Sequence, residues 1–193
     1  MTRGPELYGE MMRLRPIEAR DAERMWESVQ DPESNRLTGT TAEFTREQID
    51  EWAATISDRE GRYDWAITSP AKRDGQLVSD EMFGEIVLND IDEHALSANL
   101  RLALLPNYRG RGYGREAIFE VLRFAFDHPE GPHLHRVSLD VLSINPRARM
   151  LYESLGFREE GRLRDAFRDG DGWADAIVMS ILEDEFRAGA GTD

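Results

Sequence analysis

At 193 residues the chain is long enough for one domain with its own apolar core, so neither a disulfide nor a metal is needed to hold it together. It has no cysteine, which excludes a disulfide framework, a thiol nucleophile and a thiolate metal site; it also has no basic–apolar leader and no run near the roughly twenty apolar residues of a membrane span, so a soluble cytoplasmic protein is expected. The formal net charge is −14, of which −11 falls in residues 1–97, a field that opposes nucleic acid and draws cationic ligands, although an acidic surface also serves solubility alone. Residues 1–11 carry no clear pattern and read as a flexible arm. Met12 to Ile17 alternates and reads as a first strand. Asp21 to Gln30 places Ala22, Met25, Trp26 and Val29 at helical spacing, and Asp31-Pro32 closes that helix. Ser34 to Phe44 is small and hydroxyl-rich, which is loop chemistry. Thr45 with Gln48 caps a second helix that buries Ile49, Trp52, Ala53 and Ile56.

Tyr63 to Thr68 reads as a strand and Ser69 to Gly75 as a turn. Met82 to Leu88 is the next strand, Asn89 to His94 an acidic turn, and Ala98 to Leu105 the strand after it. Short turns between successive strands imply an antiparallel meander. The chain then enters Arg109-Gly110-Arg111-Gly112-Tyr113-Gly114, followed by the most periodic helix, Arg115 to Asp127, with Ile118, Val121, Leu122 and Ala125 as its core stripe. Three alternate glycines let the turn adopt positive φ and approach a bulky anion closely. The helix behind it offers unpaired N–H groups, and Arg109, Arg111 and Arg115 offer guanidinium groups. The pattern therefore reads as a pyrophosphate cradle or as a tight connection without a ligand. The spacing G-x-G-x-G departs from the dinucleotide fingerprint, and no Gly-Lys-Ser/Thr follows to make a P-loop.

His135 to Leu142 alternates as a strand. Asn145 suits an N-cap, Pro146 the first helical position and Gly156 the position past the end, which predicts a short helix between them. Phe157 to Leu163 and Trp173 to Leu182 read as the last strands, joined by residues 164–172. Residues 183–193 read as a tail whose end, from Ala188, is disordered. The four histidines have no ligand set around them, so no metal is expected.

Two of these motifs, Arg109-x-x-Gly112-x-Gly114 after Pro106-Asn107-Tyr108 and Asn145-x-x-Ala148-x-x-x-Tyr152 before Gly156-Phe157, resemble the GNAT superfamily of N-acetyltransferases. Within it the resemblance is to the branch of ribosomal-protein alanine and spermidine acetyltransferases, and it covers residues 12–182 as a single domain. It implies an α/β fold with a mixed, mostly antiparallel twisted sheet of about six or seven strands and about four flanking helices. It implies acetyl-CoA as cofactor, its pyrophosphate held by Arg109, Gly110, Arg111, Gly112, Tyr113, Gly114 and Arg115, with Asn145 as a further contact. The backbone of Leu102, Ala103 and Leu104 would pair with the pantetheine arm where two parallel strands splay apart. The acceptor would be a primary amine, either a small cation such as a polyamine or an amine-bearing antibiotic, or a protein N-terminus.

Tyr152 would protonate the departing thiolate, although its spacing also suits a core tyrosine beside Ala148, Leu151 and Leu155. Many members of the branch carry a Glu where this chain has Asn99, and an amide cannot act as a base. Asp140, then Glu85, then Glu43 are the carboxylates that could take the amine proton instead. Glu43, Phe44, Glu85 and Asn99 are the expected acceptor-binding residues. Homodimers are common in the family, and a non-catalytic acyl-CoA-binding protein of the same fold is the alternative reading.

Overall fold

The structure, a computed structural model, describes residues 3–190. Among these residues the strands are β1 (Leu7–Tyr8), β2 (Arg13–Pro16), β3 (Tyr63–Thr68), β4 (Ala71–Arg73), β5 (Gln76–Ser79), β6 (Met82–Asp92), β7 (Ser97–Leu104), β8 (Arg136–Leu142), β9 (Arg158–Asp169) and β10 (Gly172–Leu182). The helices are α1 (Ala22–Val29), α2 (Pro32–Thr38), α3 (Arg46–Thr55), α4 (Tyr113–Asp127), α5 (Pro146–Ser154) and α6 (Glu183–Ala190). Eight strands form one sheet in the order β1-β2-β3-β6-β7-β8-β10-β9, and β4 and β5 pair separately. Every neighbouring pair is antiparallel except β7 and β8. The expected mixed α/β sheet is present, with more strands and helices than the sequence patterns gave.

Strand alternation sends two sets of side chains to opposite faces, and different helices cover each. Trp65, Ile67, Ile86, Leu88, Leu100, Val137 and Leu139 pack with Ile118, Val121, Leu122 and Ala125, the predicted stripe of α4. Each of those stripe residues is fully buried, and burial of such a side chain contributes about 1.5–3 kcal/mol. On the other face Ala66 and Met82 meet Met25 of α1 and Ile49 and Ala53 of α3. The α3 N-terminus is the expected capping box, with Thr45 and Gln48 bonding reciprocally.

Arg15 anchors that second layer. Its guanidinium donates to both carboxylate oxygens of Asp21 at 2.8 and 2.7 Å, to Asp80 Oδ2 at 2.9 Å, and to the carbonyls of Pro16 and Asp80. All three charged side chains are buried, and Asp80 Oδ1 has no hydrogen-bond partner among the described residues. Removing one partner of such a network strands the remaining charges. Arg15→Met is expected to cost about 3–5 kcal/mol, read as a shift in the urea midpoint at unchanged slope.

Several segments differ from their sequence reading. Residues 3–11 are not a free arm: Leu7 is buried in β1, Trp65 Nε1 donates to Pro5 O at 2.9 Å, and Glu116 accepts from the N–H of Glu10 and Met11. A two-residue strand held by partners so distant in sequence leaves no periodic signal. The segment read as loop from Ser34 is helical to Thr38, because Asp31 accepts from Ser34 N, Pro32 fills the first turn and Gly39 ends the helix at φ +69°. Nothing in α2 is buried, so it has no apolar stripe to read. The turn at Ser69 to Gly75 is the start of the β4–β5 hairpin, reversed at Asp74 and Gly75, both with positive φ. β6 runs through the supposed acidic turn to Asp92. β9 likewise runs on to Asp169, so the expected loop shrinks to Gly170 and Asp171.

The C-terminal segment is helical from Glu183 to Ala190, with Phe186 buried 5.4 Å from the ring of Phe119 and 5.5 Å from that of Phe126. The end of the predicted disordered tail, residues 191–193, lies outside the described residues. No helix among the described residues is long and apolar enough to cross a membrane.

Candidate active site

Among the described residues β7 and β8 are the only parallel neighbours, and they pair for just three residues, Ser97, Ala98 and Asn99 against Arg136, Val137 and Ser138. Beyond Asn99 the two strands run on to Leu104 and Leu142 without pairing, so the sheet opens into a V between them. Leu105 N donates to Phe83 O at 2.9 Å, which makes the odd-numbered residues of β7 the ones bonded to β6. The main chain of Leu102 and Leu104 is therefore turned toward the V. Arg109 Nε meets Leu104 O from that side at 3.0 Å. Ala103, expected to share this role, instead sits in the bonded pair with Glu85, and its main chain is spent on β6.

The glycine turn stands at the open end of the V. Gly110 and Gly112 have φ of +72° and +91°, and Gly112 is the N-cap of α4. None of the six consecutive N–H groups from Gly110 to Arg115 donates a hydrogen bond within the described residues. Six adjacent donors at the positive end of a 15-residue helix are the groups that an anion-binding turn requires. Gly114 is buried: a Cβ there would lie 3.2 Å from Leu102 and 3.4 Å from Leu104, so glycine lets α4 close onto β7.

The predicted arginines divide by what they hold. Arg109 is engaged with Leu104 O, Asp31 and Ser34, so it fastens the turn to the N-terminus of α2. The Ser34 hydroxyl, and after it Arg109, keep the Asp31 carboxyl below the usual range. Arg115 donates to Ser154 O and Oγ and docks α5 beside α4. Arg111 is exposed, 6.0 Å from the centre of the Tyr108 ring, and has no carboxylate partner among the described residues. The Tyr113 ring packs 4.7 Å from that of Phe83. One basic residue was overlooked. Arg147 is exposed, has no bonded partner among the described residues, and lies so close to Gly110 that a Cβ there would collide with its Nη2. Its signal was an arginine in the first turn of α5, where the helix dipole disfavours a cation.

Asn145 caps α5 as expected, accepting from Ala148 N at 3.2 Å, and its amide reaches Leu37 O at 3.5 Å. With Arg109 at one end and Asn145 at the other, α2 spans the mouth of the V. Tyr152 is buried in the main core, 5.8 Å from the Phe157 ring, with its phenol pushed up to about 12 by burial. Its hydroxyl makes no hydrogen bond within the described residues, yet it is not among the fully enclosed unpaired atoms. The neighbouring Leu151 reaches the first turn of α4 at Gly114, which sets α5 against the cradle.

The acids and amides occupy different settings. Asn99 lies at the closed end of the V and donates to Asn89 Oδ1 at 3.0 Å. Asp140 is exposed on β8. Glu43 and Phe44 are exposed in the loop after α2, with no bond to β6 or β7. Glu85 alone of the candidate acids is part-buried with a shifted carboxyl, pushed up chiefly by burial and then by Asp64, against the pull of Arg101 and Arg62. No three His, Asp or Glu side chains among the described residues gather as a metal site.

Residues 12–158 match the family model of the acetyltransferase (GNAT) domain. An uncharacterised N-acetyltransferase from Bacillus licheniformis is 27% identical over 93% of this chain and 97% of its own length. The ribosomal protein bS18-alanine N-acetyltransferase of Escherichia coli is 28% identical over 65% of this chain and 86% of its own. Among solved structures, spermidine N-acetyltransferase from Vibrio cholerae in complex with CoA and spermine superposes with a TM-score of 0.80 at 22% identity, over 93% of this chain and 99% of that one. With its motifs at the cradle and at the cap of α5, and a family match over most of its length, the chain belongs to the GNAT acetyltransferase family.

Proposed function

We propose that the protein is an acetyl-CoA-dependent N-acetyltransferase that acetylates a primary amine by direct attack in a ternary complex. The observation that carries this reading is the run of six free N–H groups at the head of α4, beside a sheet opened along Leu102 and Leu104. The donors of residues 110–115 suit a diphosphate, with Arg111 and Arg147 free to add charge. The main chain of Leu102 and Leu104 suits an extended, amide-bearing arm, received as a strand would be. Acetyl-CoA, when bound, supplies an activated acetyl carbonyl and a thiolate leaving group.

This chain's residues then have little chemistry left to do. A main-chain N–H of Leu102 or Leu104 stabilises charge developing on the carbonyl oxygen. Tyr152, held protonated by burial, donates its proton to sulfur. The acceptor is a small cationic amine, such as a polyamine or an amine-bearing antibiotic, or a protein N-terminus, and the −11 charge of residues 1–97 favours a cation. The names of the spermidine and bS18-alanine relatives span both acceptor classes.

One observation favours the second reading, an acyl-CoA-binding protein without turnover: Asn99 is paired with Asn89 and cannot take a proton. Release of free thiol from acetyl-CoA in the presence of spermidine, an aminoglycoside or peptides with free N-termini separates the two. Saturable turnover with one class is expected. Tight acetyl-CoA binding with no turnover on any amine would establish the second reading instead.

A further inference from the structure

Acetyl transfer to an amine that arrives protonated requires a proton acceptor within reach of the attacking nitrogen. The structure ranks the available carboxylates differently from the sequence. Asp140 and Glu43 are both exposed. Glu85 lies on the second face of the sheet, the one covered by α1 and α3, because its cross-strand neighbour Ala66 packs with those helices. Its other neighbour is Ala103, on the strand that borders the V. The residues directly across from it on both neighbouring strands are alanines, with Asp64 and Arg101 two positions along on the same face. It makes no hydrogen bond or ion pair within the described residues, whereas the nearby Asp64 is tied to Arg62 by bonds of 2.7 and 2.8 Å. The charged groups acting on it are Asp64 from β3, Arg62 just before that strand and Arg101 from β7.

We propose that Glu85 is the base that takes the proton from the acceptor amine, a role that rests on the acetyltransferase reading above. The Glu85 carboxylate accepts one proton from the ammonium group. The freed lone pair forms the carbon–nitrogen bond as the carbon–sulfur bond breaks, and sulfur leaves with that electron pair and receives the Tyr152 proton. The second proton shed by nitrogen as the amide forms restores Tyr152, and Glu85 returns its own to solvent, so one proton is released per turnover. An unpaired, part-buried carboxylate suits this task, because burial brings its proton affinity nearer to the working pH.

Glu85→Gln, with Glu85→Asp beside it, tests the assignment. In the ligand-free protein, carbon-13 NMR of the glutamate carboxyls, with the Glu85 signal identified by its loss in Glu85→Gln, should show it titrating above the exposed glutamates. In Glu85→Gln, kcat/KM at neutral pH should fall about a hundredfold and keep rising with pH where the wild type has levelled off, with partial recovery in Glu85→Asp. Acetyl-CoA affinity should be unchanged. The folded-state carboxyl is raised, so whatever stability it contributes is present below its unfolded value and lost as pH rises through the folded one. At neutral pH the neutral glutamine should therefore melt no lower than the wild type.

A glutamine variant with wild-type rate and pH profile, or a Glu85 signal titrating with the exposed carboxyls, would overturn the assignment while leaving the acetyltransferase reading intact. Equal losses of acetyl-CoA affinity and rate would reduce Glu85 to a structural part. A wild-type chain that binds acetyl-CoA but acetylates no amine would overturn both.

Discussion

Tyr152→Phe is expected to lower kcat by about two orders of magnitude or more while leaving acetyl-CoA affinity and melting temperature within error of the wild type. The substitution removes one oxygen from a buried ring that packs 5.8 Å from Phe157, so volume and packing are kept. The hydroxyl has no hydrogen-bond partner within the described residues, so no bond is lost in the folded protein. A fall in rate would thus report chemistry alone. Burial pushes the phenol to about 12, so Tyr152 stays protonated throughout the physiological range and no alkaline fall in kcat from its ionisation is expected near its ordinary value of about 10. A variant that keeps kcat within about threefold of the wild type would make Tyr152 a core residue only, below the usual contribution of a general acid.

The second large effect is expected at Gly112. With φ of +91° it occupies a conformation that costs an L-residue roughly 1–2 kcal/mol, and a Cβ there would approach Met11 Cε to 3.0 Å. Gly112→Ala can relieve that strain by turning the peptide units on either side, which re-aims donors at the centre of the cradle. A hydrogen bond to a charged group is worth about 1.5–3 kcal/mol, so losing one or two should weaken acetyl-CoA binding about a hundredfold. Gly170→Ala is the control. Gly170 also has a left-handed φ, +60°, but lies in the β9–β10 turn with nothing within 4 Å of a Cβ. It should lose a little stability and no affinity, measured by titration calorimetry on both variants.

How much of this was legible in the sequence depended on where each signal resides. α4 and α5 were readable because their information is local: an apolar stripe at helical spacing, and Asn145 and Pro146 placed where a cap requires them. The sharp turn before α4 was readable for the same reason, since closely spaced glycines permit the positive φ that Gly110 and Gly112 adopt. α2 was not: Asp31 and Pro32, which start it, also suit the end of the helix before it, and its seven residues bury nothing, so no apolar stripe distinguishes it from a loop. The opening of β7 from β8 was implied only by family resemblance, because strand pairing is a relation between segments and neither sequence records where it stops. The ranking of Asp140 above Glu85 as candidate base was made without knowing the exposure of either. Exposure depends on what covers each face, and only the folded sheet puts Glu85 beneath α1 and α3 with alanines on both sides. Arg109 and Arg115 looked alike with Arg111 as phosphate ligands. Tertiary contacts hold the first two in place and leave Arg111, with the overlooked Arg147, free.

On the proposed function, the six free N–H groups of residues 110–115 hold the diphosphate of coenzyme A. Calorimetric binding of acetyl-CoA against acetyl-pantetheine, which keeps the thioester and the amide arm but lacks the diphosphate and the nucleoside phosphate beyond it, tests this, with the Gly112→Ala variant separating the contribution of the turn. Acetyl-CoA is expected to bind at least about a hundredfold more tightly, the difference of about 2.7 kcal/mol that one or two charge-assisted hydrogen bonds supply. Equal affinities, or no binding of either, would contradict the account and leave the glycine turn as no more than a connection between β7 and α4.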